Sequence, residues 1–242
     1  MHKYLNKIIQ GDCLEVMKGI PDKSVDMILC DLPYGTTACS WDTIIPFEPL
    51  WEQYKRIIKD NGAIVLTASQ PFTSALVMSN PKMFRYCWVW NKKISGNPLL
   101  AKYQPLKIHE DICVFSKDKH NYYPEMRKGK MRIKGGGKSK LLNMEMSKST
   151  NDNYYPVSII EYSNAKRGVH PTQKPVALFE YLIKTYTNEG NLVLDNCIGS
   201  GTTAMACKNL NRNFIGIELS PEYCKIAEDR LRQEVLDLAP SK

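Results

Sequence analysis

No apolar run in this chain approaches the roughly 20 residues that a membrane-spanning helix needs, and none of its 242 residues belongs to such a stretch. The opening Met1-His2-Lys3-Tyr4-Leu5-Asn6-Lys7 lacks the apolar region of a secretory signal, so the chain is expected to stay in the cytoplasm. Its eight cysteines contain no Cys-x-x-Cys pair, which argues against a zinc site. A reducing compartment argues against disulfides, so buried free thiols and no metal are expected. Acidic residues are scarce in one place. Between 117 and 148 there are ten lysines and arginines against three acids, which is +7 of the formal +8. A basic block on an otherwise balanced chain points to a polyanion, or to a plain solvated loop.

What is present is an alternation of short apolar runs with amphipathic segments. Strands are predicted at 7–12, where the first ends in Gly-Asp, and at 25–30, 63–68, 84–90, 111–115, 191–195 and 214–218. Helices are predicted at 13–20, 47–59, 71–79, 176–186 and 202–210. A last helix should open at Ser220-Pro221, with serine as cap and proline in the first turn. This order predicts an α/β fold, a doubly wound and mostly parallel sheet with an antiparallel pair among the later strands. From 116 to 167 the periodicity dissolves, and Gly135-Gly136-Gly137 and two tyrosine pairs lie in that stretch. The expected organisation is a core made of 1–115 and 168–242, interrupted by a basic inserted module at 116–167.

Two stretches carry chemistry. Asp31-Leu32-Pro33-Tyr34-Gly35 ends an apolar strand with a turn. An acid, a backbone carbonyl and an aromatic ring together could grip a planar amine, with Tyr34 stacking on its ring; a capped strand-to-turn junction would look the same. The second stretch runs from Asp195, at the end of a strand, through Gly199-Ser200-Gly201-Thr202 into a helix. A further strand then ends in Glu218 at the interval expected of a nucleotide-binding unit, where glycines admit the ligand and the second acid meets ribose hydroxyls. The glycine loop has no cation and no third glycine, so a nucleoside suits it better than a pyrophosphate.

Taken together, these stretches resemble the β-class, permuted DNA amino-methyltransferases that use S-adenosylmethionine. The family's Asp-Pro-Pro-Tyr resembles Asp31-Leu32-Pro33-Tyr34, and its His-Pro-Thr-Gln-Lys-Pro is identical to 170–175. Its glycine motif is similar to Asp195–Thr203, and Gly11-Asp12 resembles the segment whose acid meets the cofactor's adenine. His109-Glu110-Asp111 also looks familial. The resemblance implies a Rossmann-like fold and methyl transfer to adenine N6 in double-stranded DNA, preferred over cytosine N4 because Asp leads the motif. Asp31, Leu32, Pro33 and Tyr34 would be catalytic. Asp12, Asp31, Thr172, Lys174, Asp195, Gly199, Ser200, Gly201, Thr202 and Glu218 would hold S-adenosylmethionine, with Thr172 and Lys174 near its carboxylate. Lys128, Lys130, Arg132 and Lys134 in the insertion would bind DNA. A homodimer and a cognate restriction enzyme are further partners in such systems. Two departures stand out: Leu32 replaces a proline, which should loosen the loop, and Asn196-Cys197 replace Pro-Phe. A protein glutamine methyltransferase fits less well, because its acid-or-amide motif follows the cofactor motif. A non-catalytic relative would be expected to lose Asp31 or the glycine loop.

Overall fold

A computed structural model describes residues 2–35, 43–95, 98–134, 137–139, 144–146, 148–164 and 173–237. His170 and Thr172 lie outside the described residues. The core begins with β1 (Lys7–Gln10), α1 (Cys13–Lys18), β2 (Val25–Asp31), α2 (Phe47–Ile57), β3 (Ile58–Ala68), α3 (Phe72–Ser79), β4 (Phe84–Asn91) and β5 (His109–Phe115). Four short strands follow: β6 (Arg127–Lys134), β7 (Gly137–Ser139), β8 (Met144–Met146) and β9 (Ser149–Tyr154). β10 (Ile159–Glu161), α4 (Val176–Tyr186), β11 (Leu192–Asp195), α5 (Thr202–Asn209), β12 (Asn213–Glu218) and α6 (Pro221–Asp237) complete it.

Eight strands form one sheet in the order β1-β12-β11-β2-β3-β5-β4-β10, with β5 alone reversed. Its central strands are apolar at successive positions because both faces are covered. On β2, Ile28 and Cys30 join Leu50, Trp51, Tyr54 and Ile57 of α2 and Leu76 of α3. Met27 and Leu29 face the other way, toward Leu178, Phe179, Leu182 and Ile183 of α4 and Ala204 and Ala206 of α5. Each leucine, isoleucine, methionine or phenylalanine among them is worth about 1.5–3 kcal/mol on burial, and truncating Leu50 to Ala would cost about 2–5 kcal/mol.

One boundary differs from the sequence reading. Asp60-Asn61-Gly62 looked like a helix stop before a strand at 63, but α2 ends at Ile57 and β3 starts at once. The register with β2 jumps from Val25↔Ile58 to Met27↔Ala63, so the polar residues bulge out of the ladder. A Cβ at Gly62 would lie 2.8 Å from the Asp26 carbonyl, and only glycine permits that approach.

Two compact units result, residues 1–123 with 158–242, and residues 124–157. The second is narrower than the 116–167 expected from composition. Tyr122 packs on the ring of Tyr186 and the Tyr123 hydroxyl accepts a bond from Asn188, so both tyrosines belong to the first unit. β10 belongs there too, extending the sheet beside β4. Within the second unit, β6 pairs with β9 and β7 with β8. No described helix is long and apolar enough to cross a membrane.

Candidate active site

The parallel strands β1, β12, β11, β2 and β3 end along one edge of the sheet, where ligands of doubly wound folds bind. Along that edge, in strand order, stand Asp12 just past β1, then Glu218, Asp195, Asp31 and Thr67. Reversed β5 begins at the same edge, bringing Glu110 next in line.

Asp31 is the most heavily bonded of these acids. Its Oδ1 accepts from the Tyr34 hydroxyl at 2.8 Å and from the Thr67 hydroxyl. Its Oδ2 meets the Lys174 ammonium at 2.9 Å. Lys174 also pairs with Glu110 at 3.2 Å, and Glu110 in turn pairs with Lys92 at 2.9 Å. Burial alone would drive the Lys174 ammonium down, but the Asp31 and Glu110 carboxylates outweigh it and hold its pKa above the ordinary lysine value. Burial would likewise raise Glu110; Lys174 and Lys92 overcome that and hold it below the usual glutamate value. The Tyr34 ring stacks on Phe72 at 5.1 Å, with the Lys174 ammonium 5.7 Å from its centre.

Leu32 does not loosen this loop. Its side chain is 3% exposed and sits in the core with Leu66 and Phe72, so packing supplies what a proline's ring would. Pro33 is half-buried between Leu32 and Tyr34. Asn196 is buried as well and accepts from Tyr54 at 2.5 Å, while its amide donates to the Cys197 sulfur. Burial first of all pushes the neighbouring Cys30 thiol up to about 12, so it stays protonated and is no nucleophile.

The glycine loop is built for close approach. Gly199 has φ +51° and open space where a Cβ would be, and Gly201 has φ +85° with a Cβ position 2.9 Å from Ala227 of α6. Glu218 holds the loop, its two oxygens accepting from the Gly199 and Ser220 amides at 2.9 Å each. Asp195 is buried and accepts from the Cys197 amide and the Thr203 hydroxyl; burial dominates, and its pKa rises from 3.8 to about 7. Ser200 is tied through its carbonyl and hydroxyl to Arg230, and Thr202 donates to the Lys174 carbonyl. Asp12 caps α1 through one oxygen, which accepts from Leu14 and Glu15.

A nucleoside-type ligand fits these residues. Each Glu218 oxygen spends one acceptor position on backbone and keeps another. Asp12 keeps one oxygen free of the cap, and Gly199 borders open space. Lys174 is engaged by Asp31 and Glu110, which leaves its ammonium one of three donors. Two members of the network around Asp31 escaped the sequence reading. Thr67 could have been noticed as the one polar residue in the run Ala63–Ala68, and Lys92 closes the aromatic run Trp88-Val89-Trp90-Asn91-Lys92, which resembles the family but carried no assigned role. Among the expected DNA-binding residues, Lys128, Lys130 and Arg132 are exposed on β6, with Arg132 5.1 Å over the Tyr154 ring; Lys134 ends the strand.

A family model described as DNA methylase matches residues 25–229. The type II methyltransferase M.HpaI of Haemophilus parainfluenzae is 30% identical over 240 residues, 94% of this chain and 74% of its own length. DNA adenine methyltransferase YhdJ of Escherichia coli (strain K12) is 29% identical over 93% of this chain and 82% of its own. Of solved structures, the M1.HpyAVI-SAM complex superposes with a TM-score of 0.65 at 27% identity, spanning 93% of this chain and 98% of that one. Because the matched span runs from β2 into α6 and takes in Asp31, Lys174, the glycine loop and Glu218, the chain belongs to the DNA methylase family.

Proposed function

We propose that the protein transfers a methyl group from S-adenosylmethionine to the exocyclic N6 amine of an adenine turned out of double-stranded DNA. One observation carries this reading: a carboxylate held by two hydroxyls and an ammonium stands one strand away from a glycine loop closed by a second acid. When bound, S-adenosylmethionine supplies an electrophilic methyl group. Glu218 would accept from its ribose, Asp12 from its adenine, and Asp195 with Gly199–Thr202 would line the remainder.

An exocyclic amine is a weak nucleophile because its lone pair is delocalised into the ring. Asp31 and the Leu32 carbonyl, accepting its hydrogens, draw the nitrogen toward tetrahedral geometry and stabilise the positive charge that develops on it. Pro33 and the buried Leu32 side chain keep that carbonyl in place. Lys174, Tyr34 and Thr67 hold the Asp31 carboxylate still, so little reorganisation is left for the reaction itself. The ring of Tyr34, backed by Phe72, offers a surface for the base.

Adenine is favoured by the acid that leads the motif and by the adenine-specific name of YhdJ. The basic strand β6, with Lys128, Lys130, Arg132 and Lys134, is the element that would follow the DNA backbone. A homodimer and a cognate restriction enzyme are the partners this reading adds beside DNA. The test is single-turnover transfer of tritiated methyl to duplex DNA. Label on adenine N6, reduced about 100- to 1000-fold by Asp31→Ala while DNA binding survives, is expected. Label on cytosine would change the base and keep the mechanism, and label on protein alone would end the reading.

A further inference from the structure

Between β4 and β5 lies a loop for which the fold has no use as packing. Residues 98–106 are exposed without interruption, and four of them are large and apolar: Leu99, Leu100, Tyr103 and Leu106. Pro98–Lys102 form a single-turn 3-10 helix, and Leu99 and Tyr103 are each 84% exposed. Exposed apolar clusters of this kind mark contact sites. From 92 to 109 the chain carries Lys92, Lys93, Lys102 and Lys107 and no acid at all.

The base of this loop is built into the candidate active site. The Lys92 amide donates to the Ile108 carbonyl at 2.7 Å, closing the loop at its neck. Lys92 pairs with Glu110, Glu110 with Lys174, and Lys174 with Asp31. Lys107 donates to the Ser69 hydroxyl, two residues past the Thr67 that binds Asp31. β4 runs parallel to β2, so the loop leaves the sheet at the same edge as Asp31.

Resting on the reading of the site given above, we infer that the 98–106 loop is a wedge that enters duplex DNA where the target base leaves the stack, with Leu99 and Tyr103 filling the gap. Apolar wedges at base steps unstack the duplex, and cations beside them meet phosphates. A tip that is apolar, flanked by lysines and free of acids suits that partner. A second copy of the chain would bring like charges together.

The test uses a duplex carrying the site that modified-base sequencing identifies, and the same duplex with an abasic position opposite the target, where no pairing opposes extrusion. Single-turnover methylation is compared for the unsubstituted protein and for Leu99→Ala/Tyr103→Ala, whose exposed positions should not disturb folding; calorimetric S-adenosylmethionine affinity serves as the check. The paired duplex should react about 10- to 100-fold more slowly with the variant, and the abasic duplex within about 3-fold of normal, since an unpaired base costs least to extrude. Equal slowing on both duplexes, or none on the paired one, would overturn the wedge. So would sedimentation showing that the substitutions convert a dimer into monomers. If the unsubstituted protein methylates neither duplex, the DNA reading itself falls and takes the wedge with it.

Discussion

Asp31, Lys174, Glu110 and Lys92 alternate in sign and sum to zero, which is how four charges can share a mostly buried place. The Lys174 side chain is 10% exposed, and the Asp31 and Glu110 carboxylates face it at 2.9 and 3.2 Å. An isolated ion there would be costly, and a pair broken by deleting one member leaves the other uncompensated, at about 3–5 kcal/mol. Lys174→Met should therefore destabilise the protein by roughly that amount at pH 7. The pH dependence has a definite sign. The folded-state pKa of Glu110 lies below its ordinary 4.5, so its stabilisation is present above that value and fades as pH falls through the lowered one. The variant loses this term, so its deficit against the unsubstituted protein should narrow in urea unfolding below about pH 4.5. A deficit of the same size at pH 7 and pH 3.5 would mean that the ammonium acts by packing alone. Tyr34 adds a second consequence at this scale. Its hydroxyl donates to Asp31, so the ring is not its whole contribution.

The elements show why part of the fold was legible in the sequence and part was not. β2, β11 and β12 were readable because strands covered on both faces are written as near-continuous apolar runs, broken in β2 only by Asp26, and their terminal acids end the runs. The capping of α6 by Ser220 was equally plain, and the serine hydroxyl accepts from the Tyr223 amide. The bulge at 59–62 was not, because Asp-Asn-Gly ends a helix and bends a strand with the same residues. The extent of the basic segment was blurred for a different reason. Composition averages over residues, whereas β10 joins the main sheet through three ladder pairs that no composition reveals. β6 and β9 lie inside that segment, and with them comes a prediction. On β6, Lys128 is partly balanced by Asp152, while Lys130 and Arg132 stand exposed. Replacing Lys128, Lys130, Arg132 and Lys134 by glutamine should reduce the slope of log K for duplex DNA against log salt by about 0.9 for each phosphate that is no longer neutralised. Cofactor affinity should not change. An unaltered slope in a salt titration would make β6 a solubilising strand.

At the scale of the molecule, chain order and spatial order disagree. Asp31 comes 164 positions before Asp195 in the sequence, yet β2 and β11 are paired neighbours, with Met27 opposite Val193 and Ile28 opposite Leu194. Strands about 4.8 Å apart therefore bring the acid that would hold the amine beside the acid that would line the cofactor. Methyl transfer needs this juxtaposition, because the nitrogen must be held against the methyl carbon before reaction, and such positioning supplies a large share of rate enhancement. The sheet is thus the common ruler for both ligands, and cofactor binding should be felt by the whole sheet as added stability. At a concentration 100 times its dissociation constant, S-adenosylmethionine should add about 2.7 kcal/mol. For a chain of this size that is a rise in Tm of about 5–10 °C. Glu218→Ala removes a charged acceptor worth roughly 1.5–3 kcal/mol. At the same cofactor concentration, its rise above its own ligand-free Tm should fall to about half or less. The comparison must be made within each protein, because Glu218 also holds the Gly199 and Ser220 amides and its loss lowers the ligand-free Tm by itself. An undiminished rise in the variant would show that the end of β12 does not meet the cofactor, whatever its part in shaping the loop.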